Sequence, residues 1–175
     1  MSVDGFIAGP NGKMDWMLFN WDDSLKKYVD AITEDVDTIL LGRKLAEGFI
    51  PYWAANPEQE GAGIFNNLPK IVFTKTMKDS VWKDTVLAKG AIADEIKTIK
   101  SQPGKNMIAY GGSAFVSSLI KENLIDDYYL FINPTAIGKG MTIFNELDEK
   151  RSLELVKSTS FDCGMVVLNY KPKFI

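Results

Sequence analysis

The sequence predicts an α/β fold, a three-layer α/β/α sandwich on a mostly parallel mixed sheet with a C-terminal antiparallel hairpin. Two observations predict it. Between residues 22 and 123, short segments that are apolar throughout alternate with amphipathic helical segments, which is typical of a parallel sheet covered on both faces. From residue 127 onward, strand-like segments follow one another directly, so the tail is expected to pair as antiparallel strands.

The first helix, strand and helix are predicted from local pattern. The apolar side chains of residues 22–33 recur at the i, i+3, i+4, i+7 spacing of one helix face, and Asp22 or Asp23 supplies the N-cap. Residues 37–42 form a short apolar strand that ends at Gly42. A helix follows over residues 43–49. Residues 56–67 show no clear period and are interpreted as a mobile substrate loop.

The remaining elements follow the same alternation. Strands are predicted at residues 69–74, 85–89 and 106–110, and helices at residues 91–100 and 113–123. In the tail, strands are predicted at residues 127–138, 152–161 and 165–172, with a hairpin turn at residues 162–164. Cys163 is interpreted as a residue of that turn.

Composition narrows the class of protein. The 175 residues are 46% hydrophobic and 25% charged, without a repeat or a Pro/Gly-rich linker, which predicts a single domain over residues 1–175. The net charge is −3, and no Lys/Arg run exceeds two residues, which disfavours nucleic acid and membranes as partners. No apolar run approaches about 20 residues, and no signal pattern is present, so a cytoplasmic location is the expectation.

Two residue counts exclude several chemistries. Histidine is absent and Cys163 is the only cysteine, which rules out a His-based triad, a His-ligated metal, an intrachain disulfide and a Cys-cluster zinc site. We therefore predict no metal site. Catalysis must use carboxylates, lysine, tyrosine, hydroxyl groups or a cofactor.

Unusual residues follow three of the apolar strands. In open α/β sheets, ligands bind outside the carboxyl ends of the strands. Helix N-termini attract anions, and lysine adds a point charge. These strand ends therefore suit a phosphate-rich ligand such as a dinucleotide. They are Gly42-Arg43-Lys44, Thr74-Lys75-Thr76 and Gly111-Gly112-Ser113.

Each strand end also has a purely structural interpretation. Gly42 can be a turn glycine, and the two cations after it can simply be exposed residues in the first turn of a helix. Residues 74–76 can be an ordinary loop. The double glycine is the strongest signal, because a tight turn needs one glycine more readily than two. Neither the G-x-G-x-x-G fingerprint nor a P-loop is present, so a standard Rossmann site is not supported.

Four segments together resemble a known family. They are SVDGFIA at residues 2–8, DTILLGRKLAE at residues 37–47, IVFTKT at residues 71–76, and YGGSAFVSSLI at residues 110–120 with the strands that follow it. The chain resembles the dihydrofolate reductase-like superfamily, and the resemblance implies that residues 2–8 form the opening strand. It is most similar to the stand-alone reductases that resemble the C-terminal domain of the bifunctional riboflavin-biosynthesis deaminase/reductase.

The resemblance implies NADPH as the cofactor. It places the Gly111-Gly112 step, with Ser113 and Phe115 of the following helix, at the pyrophosphate and the nicotinamide side. Ala8 and the loop of residues 9–12 would border the nicotinamide. The adenosine 2′-phosphate and the pyrophosphate would be surrounded by Gly42, Arg43, Lys44, Thr74, Lys75 and Thr76.

The resemblance leaves the proton donor open among three carboxylates. Asp22 or Asp23 resembles the helix-borne pocket carboxylate of dihydrofolate reductases, and could protonate an N-heterocycle. Both could equally cap the helix. Asp4 matches the S-V-D-G motif of riboflavin-type reductases, and could equally be a turn residue.

The substrate pocket is predicted from aromatic residues. Trp16, Tyr52 and Trp53 are candidates to wall it, although residues 51–53, placed after the Gly-Arg helix, could instead close the core under a long loop. Residues 138–141 resemble a family segment that would serve as a substrate-phosphate or edge-strand element.

These features predict an NADPH-dependent reductase that acts on a pterin-, pyrimidine- or similar heterocyclic substrate. Alternatives are a catalytically silent NADPH-binding module of the same fold, and a phosphate-ligand enzyme without redox chemistry. The resemblance also implies a homodimer formed through the late strands, with which the apolar residues 127–134 are compatible.

Overall fold

The computed structural model describes residues 1–173 and divides them into two compact units. Unit 1 comprises Met1–Glu34 and the described residues from Leu119 onward, and unit 2 comprises Asp35–Ser118. The twelve elements are α1 (Asp23–Thr33), β1 (Val36–Gly42), α2 (Arg43–Ala55), α3 (Ala62–Asn67), β2 (Lys70–Phe73), β3 (Thr85–Ala88), α4 (Ile92–Lys100), β4 (Asn106–Ala109), α5 (Ser113–Lys121), β5 (Tyr128–Ile132), β6 (Leu153–Ser160) and β7 (Val166–Pro172). The α/β fold class is confirmed, with a parallel sheet and a separate antiparallel sheet. The single domain over residues 1–175 stays a prediction.

Unit 2 contains the parallel sheet, whose strand order is β3-β2-β1-β4. The chain builds outward from β1 to β2 and β3, and then crosses to the opposite side of β1 to add β4. The strand order therefore reverses between β1 and β4. In open α/β sheets such a reversal leaves a crevice at the carboxyl ends of the two strands, where ligands bind.

The core of unit 2 lies between this sheet and two helices. Ile39, Leu41 and Val72 are fully buried on β1 and β2, and Ile50 of α2 and Phe65 of α3 pack against them. β1 buries three consecutive residues, Ile39, Leu40 and Leu41, as expected of an inner strand of a covered sheet, whereas burial alternates along β2. This packing fixes the strand ends at which the predicted site residues lie.

Unit 1 contains the antiparallel sheet, whose strand order is β5-β7-β6. β6 and β7 form the predicted hairpin, and the turn at residues 162–164 joins them. The fully buried Leu25 of α1 packs in one cluster with Phe161, Met165 and Val167. Asp22 is the N-cap of α1, which confirms one of the two predicted alternatives.

The predicted opening strand is wrong over most of its length. Ser2 forms two hydrogen bonds with Phe6. Ser2 N donates to Phe6 O at 2.7 Å, and the Ser2 hydroxyl oxygen accepts from Phe6 N at 2.9 Å. Gly5, with φ of +90°, completes a tight turn. Because these bonds are made locally, the segment contributes only an isolated antiparallel bridge between Ala8 and Met141.

Two predictions around residues 50–67 are also wrong. α2 does not end at residue 49 but continues through Pro51 to Ala55, because Ile50 and Trp53 are held in the core cluster of unit 2. The predicted substrate loop of residues 56–67 includes the helix α3, which buries Phe65 to 3% exposure. In both cases tertiary burial overrides the local sequence signal.

Within residues 1–173, no helix combines the length and the apolar character needed to cross a bilayer. The same residues contain no group of three or more acidic or sulfur ligands placed to hold a metal ion.

Candidate functional site

The carboxyl ends of β1, β2 and β4 lie along one edge of the parallel sheet. Gly42 at the end of β1 pairs with Phe73 at the end of β2, and Leu40 pairs with Ala109 at the end of β4. Thr74 follows Phe73 directly, and Gly111 lies two residues beyond Ala109. The structure thus brings the three predicted strand ends together at the reversal of strand order, where α2 and α5 also begin.

The two consecutive glycines occupy different environments. Gly112 has φ of +81°, and a Cβ there would lie 3.6 Å from Leu45 Cβ, so its backbone conformation explains the glycine. Gly111 has no such conformation, and a Cβ added to it would meet no atom within 4 Å. Neither packing nor φ requires glycine at Gly111. The space above it opens beside the first turn of α5, whose leading N–H groups lack intrahelical partners.

Gly42 is explained by packing. A Cβ on this residue would come within 2.7 Å of Phe115 Cβ, and the Phe115 ring lies 4.9 Å from the Phe73 ring. Gly42 is the N-cap of α2 and offers no side-chain cap, so the first N–H groups of this helix also remain available to an anion. Phe115 therefore helps to shape the edge through its packing on the two strand ends.

The turn after β2 is organised by hydrogen bonds. The buried Thr74 hydroxyl oxygen accepts from Thr76 N at 3.2 Å and Met77 N at 3.1 Å. The exposed Lys75 ammonium donates to the carbonyl oxygens of Lys89 at 3.0 Å and Gly90 at 2.6 Å. Sequence reasoning missed Lys89 and Gly90, because nothing in the sequence signals that they reach Lys75.

The two cations that open α2 are at the surface. Arg43 forms an ion pair with Glu47 one helical turn later, at 2.7 Å, and its side chain is one-third exposed. Lys44 is exposed. A cation in the first turn of a helix interacts unfavourably with the helix dipole. The ion pair with Glu47 partly offsets this unfavourable interaction of Arg43, so helix stability alone does not explain the two cations.

The predicted substrate aromatics of unit 2 favour the structural interpretation. Trp53 lies in an aromatic cluster with Phe49 at 6.1 Å and Phe65 at 5.8 Å between ring centroids. Tyr52 is half exposed, and its hydroxyl donates to Gln59 at 2.9 Å. Trp53 Nε1 is buried and has no hydrogen-bond partner among the described residues.

Asp22 forms contacts typical of a capping residue. Its carboxylate accepts from Leu25 N at 2.9 Å, Ser24 Oγ at 2.5 Å and Cys163 N at 2.9 Å. These bonds, the Ser24 hydroxyl first, hold the pKa of Asp22 well below its usual range. A carboxyl group that is ionised so firmly is a poor proton donor at neutral pH. Asp23 is exposed on the first turn of α1.

We expect Asp22→Ala to lower the melting temperature by about 3–6 °C, because it removes a helix cap and the acceptor for Cys163 N. Asp22→Asn should lose much less, because asparagine also caps helices. The lowered pKa means that the Asp22 contribution is present above the unfolded-state value and is lost as the pH falls through the folded one. The difference in melting temperature between wild type and Asp22→Ala should therefore stay constant from about pH 7 to pH 5 and narrow as the pH falls below about 4. A difference that stays constant across this whole range would contradict the assignment.

Asp4 binds the backbone of a distant segment in unit 1. Its carboxylate accepts from Gly138 N at 2.7 Å and from Ile137 N at 3.2 Å. The Ser2 hydroxyl also donates to it, and these bonds, Ser2 first, hold the pKa of Asp4 below its usual value. Like Asp22, Asp4 is stabilised as an anion.

Two other candidates of unit 1 lie near the start of the chain. Ala8 is buried, and its carbonyl oxygen accepts from Met141 N in the bridge, while the neighbouring Ile7 N donates to Met141 O. Residues 9–12 form a tight turn in which Gly9 N donates to Lys13 O at 2.8 Å. Trp16 Nε1 is buried and finds no hydrogen-bond acceptor in the described part of the chain.

A surface depression of about 300 Å³ in unit 1 was not predicted from the sequence. Lys121 and Asp148 on its wall form an ion pair at 2.7 Å, and Arg151 donates to Asn123 and to the Lys121 carbonyl oxygen. Lys121 is neutralised by Asp148 and Arg151 is held by neutral oxygen acceptors, so these two cations do not mark the depression as a site for a particular ligand.

The comparisons with known proteins fit this geometry. The profile of the family described as RibD C-terminal domain matches residues 1–167. The chain belongs to this family. A curated relative, the uncharacterized protein YyaP of Bacillus subtilis (strain 168), is 29% identical over 174 residues, which cover 97% of this chain and 90% of the relative.

Solved structures agree with the family. A putative riboflavin biosynthesis protein from Shewanella sp. PV-4 has a TM-score of 0.78 at 25% identity, over 99% of this chain and 96% of that one. A dihydrofolate reductase from Enterococcus faecalis, complexed with NADP(H) and RAB-propyl, has a TM-score of 0.66 at 20% identity, over 99% and 93% of the two chains. The protein therefore has the dihydrofolate reductase-like fold, within a reductase-like family.

Proposed function

We propose that the protein is an NADPH-dependent reductase that acts on a pterin-, pyrimidine- or similar heterocyclic substrate. The observation that carries this proposal is Gly111. It lies where the strand order reverses, beside the N-terminus of α5, and neither its packing nor its conformation requires glycine. A ligand that must touch the backbone at this point accounts for it.

The chemistry of the sheet edge fits the phosphates of the cofactor. α2 and α5 both begin there without a side-chain cap from Gly42 or Gly112, which leaves first-turn N–H groups to bind an anion. Lys75 and Lys44 add exposed cations. A 2′-phosphate beside Lys75 would favour NADPH over NADH. Support also comes from the NADP(H) bound by the Enterococcus faecalis reductase of the same fold.

When bound, NADPH supplies the hydride for a polarised C=N or C=O of the substrate. The residues of this chain bind and orient the two reactants. The family match and the likeness to the putative riboflavin biosynthesis protein of Shewanella sp. PV-4 support a substrate of the riboflavin-biosynthesis type. Dihydrofolate and 5-amino-6-(5-phosphoribosylamino)uracil are the two substrates to test first.

A catalytically silent NADPH-binding module is the second candidate, and two of the three candidate carboxylates favour it. Asp4 and Asp22 are both stabilised as anions by hydrogen bonds to other parts of unit 1, so neither is prepared to donate a proton. If the enzyme is active, solvent or another group supplies the proton to the substrate.

The test is a titration with NADPH and NADH, followed by quenching of tryptophan fluorescence, and then a substrate panel followed by loss of NADPH absorbance. We expect a preference for NADPH and turnover of at least one heterocycle. NADPH binding without turnover would support the silent module. A folded protein that binds neither nucleotide would refute both.

A further inference from the structure

A positioning role for Asp4 follows from its place in unit 1. We propose that the Asp4 carboxylate fixes residues 137–141 so that the backbone of Ala8 is held in one conformation, and that it does not exchange a proton with the substrate. This inference rests on the proposed function and on the role that the family resemblance implies for Ala8. Each link of it is a contact within unit 1.

The first link joins Asp4 to the segment. Both oxygens of the carboxylate accept from Ile137 N, and one also accepts from Gly138 N at 2.7 Å. Gly138 has φ of +76°, so the chain turns sharply at this point. Hydrogen bonds to an ionised acceptor are roughly twice as strong as neutral ones, so Asp4 is well suited to hold this turn.

The second link joins the segment to Ala8. Met141 N donates to Ala8 O at 2.8 Å, and Ile7 N donates to Met141 O at 2.8 Å. Between the turn and this bridge lies Gly140, where an added Cβ would overlap the Ala8 carbonyl oxygen and lie 3.1 Å from Phe6 Cβ. The bridge therefore forms only with glycine at this position.

The third link is the rigidity of the Asp4 side of the arrangement. The fully buried Ser2 forms two hydrogen bonds with Phe6, which close the turn that carries Asp4. Val3 N donates to Thr135 O at 2.9 Å. The tight turn of residues 2–6 and the segment of residues 135–141 are thus joined at both ends. Loss of the Asp4 carboxylate would free the backbone of Ile137 and Gly138, which lies between these two ends.

The first experiment needs no activity. Amide hydrogen exchange of the free protein should speed up about tenfold or more at Ile137, Gly138 and Met141 in Asp4→Ala, because a charge-assisted acceptor is removed. Val3→Ala, a change at a neighbouring side chain that is 64% exposed, is the matched control and should leave exchange unchanged. Faster exchange at Ile137 and Gly138 with unchanged Met141 would overturn the proposal, because Asp4 would then not reach the bridge.

The second experiment separates positioning from proton donation. Asp4→Asn keeps an acceptor for Gly138 N, so its kcat/KM should stay within about threefold of wild type, with an unchanged pH profile, whereas Asp4→Ala should lose about 10- to 100-fold. If Asp4 donates the proton, the two variants are equally impaired, which overturns the proposal.

A third variant tests the bridge from its other side. Gly140→Ala keeps Asp4, and should raise exchange at Met141 and lower kcat/KM by a factor similar to Asp4→Ala. The double variant should be no worse than either single one, since both act through the same segment. If Gly140→Ala fails to fold, the Asp4 variants decide alone. If wild type reduces no substrate, the proposed function fails, while the exchange data still decide the role of Asp4.

Discussion

Gly111→Val is expected to leave the melting temperature unchanged and to weaken NADPH binding at least about tenfold. A Cβ at this position meets no protein atom within 4 Å, so we expect the free protein to accommodate the larger side chain. The same space lies beside the N-terminus of α5, where phosphate oxygens would meet backbone N–H groups. The loss of one or two charge-assisted hydrogen bonds weakens binding by a factor of this order. Fluorescence titration and thermal melting of one sample measure both quantities.

The neighbouring glycine is the matched control. Gly112→Ala forces a residue with a Cβ into φ of +81°, so we expect it to destabilise the protein by about 1–2 kcal/mol. Gly111→Val should therefore weaken ligand binding without lowering the stability of the protein, whereas the main effect of Gly112→Ala should be a loss of stability. A Gly111→Val protein that binds NADPH as tightly as wild type would remove the observation that carries the proposed function.

The double glycine shows how far sequence reasoning reaches. The argument that a turn needs one glycine more readily than two holds, but the sequence alone does not say which glycine serves the turn. Backbone conformation assigns Gly112 to the turn and leaves Gly111 without a structural role. Gly42, for which the sequence suggests either a turn or a ligand contact, instead avoids a collision with Phe115, a residue more than 70 positions away.

Elements with local determinants were predicted correctly. The Asp22 cap, the apolar strands β1, β2 and β4 and the hairpin between β6 and β7 each depend on residues close in sequence. Their order also predicts that the strand ends meet, since parallel strands share a carboxyl edge.

Features that depend on distant residues were not predictable. Asp4 meets its partners 133 and 134 positions away, so a single sequence cannot separate a turn or catalytic aspartate from one that holds a remote segment. α2 runs through Pro51 because burial of Ile50 and Trp53 outweighs the loss of one backbone hydrogen bond. Likewise Phe65 stabilises a helix, α3, in a segment without periodicity.

The second large effect is expected from Lys75→Ala, which should weaken NADPH binding about tenfold and leave NADH binding unchanged. Lys75 donates to the carbonyl oxygens of Lys89 and Gly90. These acceptors are neutral, so they hold the ammonium at the exits of β2 and β3 without cancelling its charge. A 2′-phosphate bound beside Lys75 would gain from that charge, whereas NADH carries no such phosphate. Because Lys75 is exposed, added salt should reduce the preference of the wild type for NADPH.

The control for this prediction is Lys97→Ala, which removes one exposed positive charge from α4 and should change neither affinity. Lys75→Met keeps the aliphatic stem and loses the charge, so it should behave as Lys75→Ala does if charge is responsible. Equal weakening of NADPH and NADH would instead indicate that the loss of the bonds to Lys89 and Gly90 deforms the whole edge. Lys75 would then order the loop without selecting the nucleotide, and selection would have to come from another cation at this edge, such as Lys44 or Arg43.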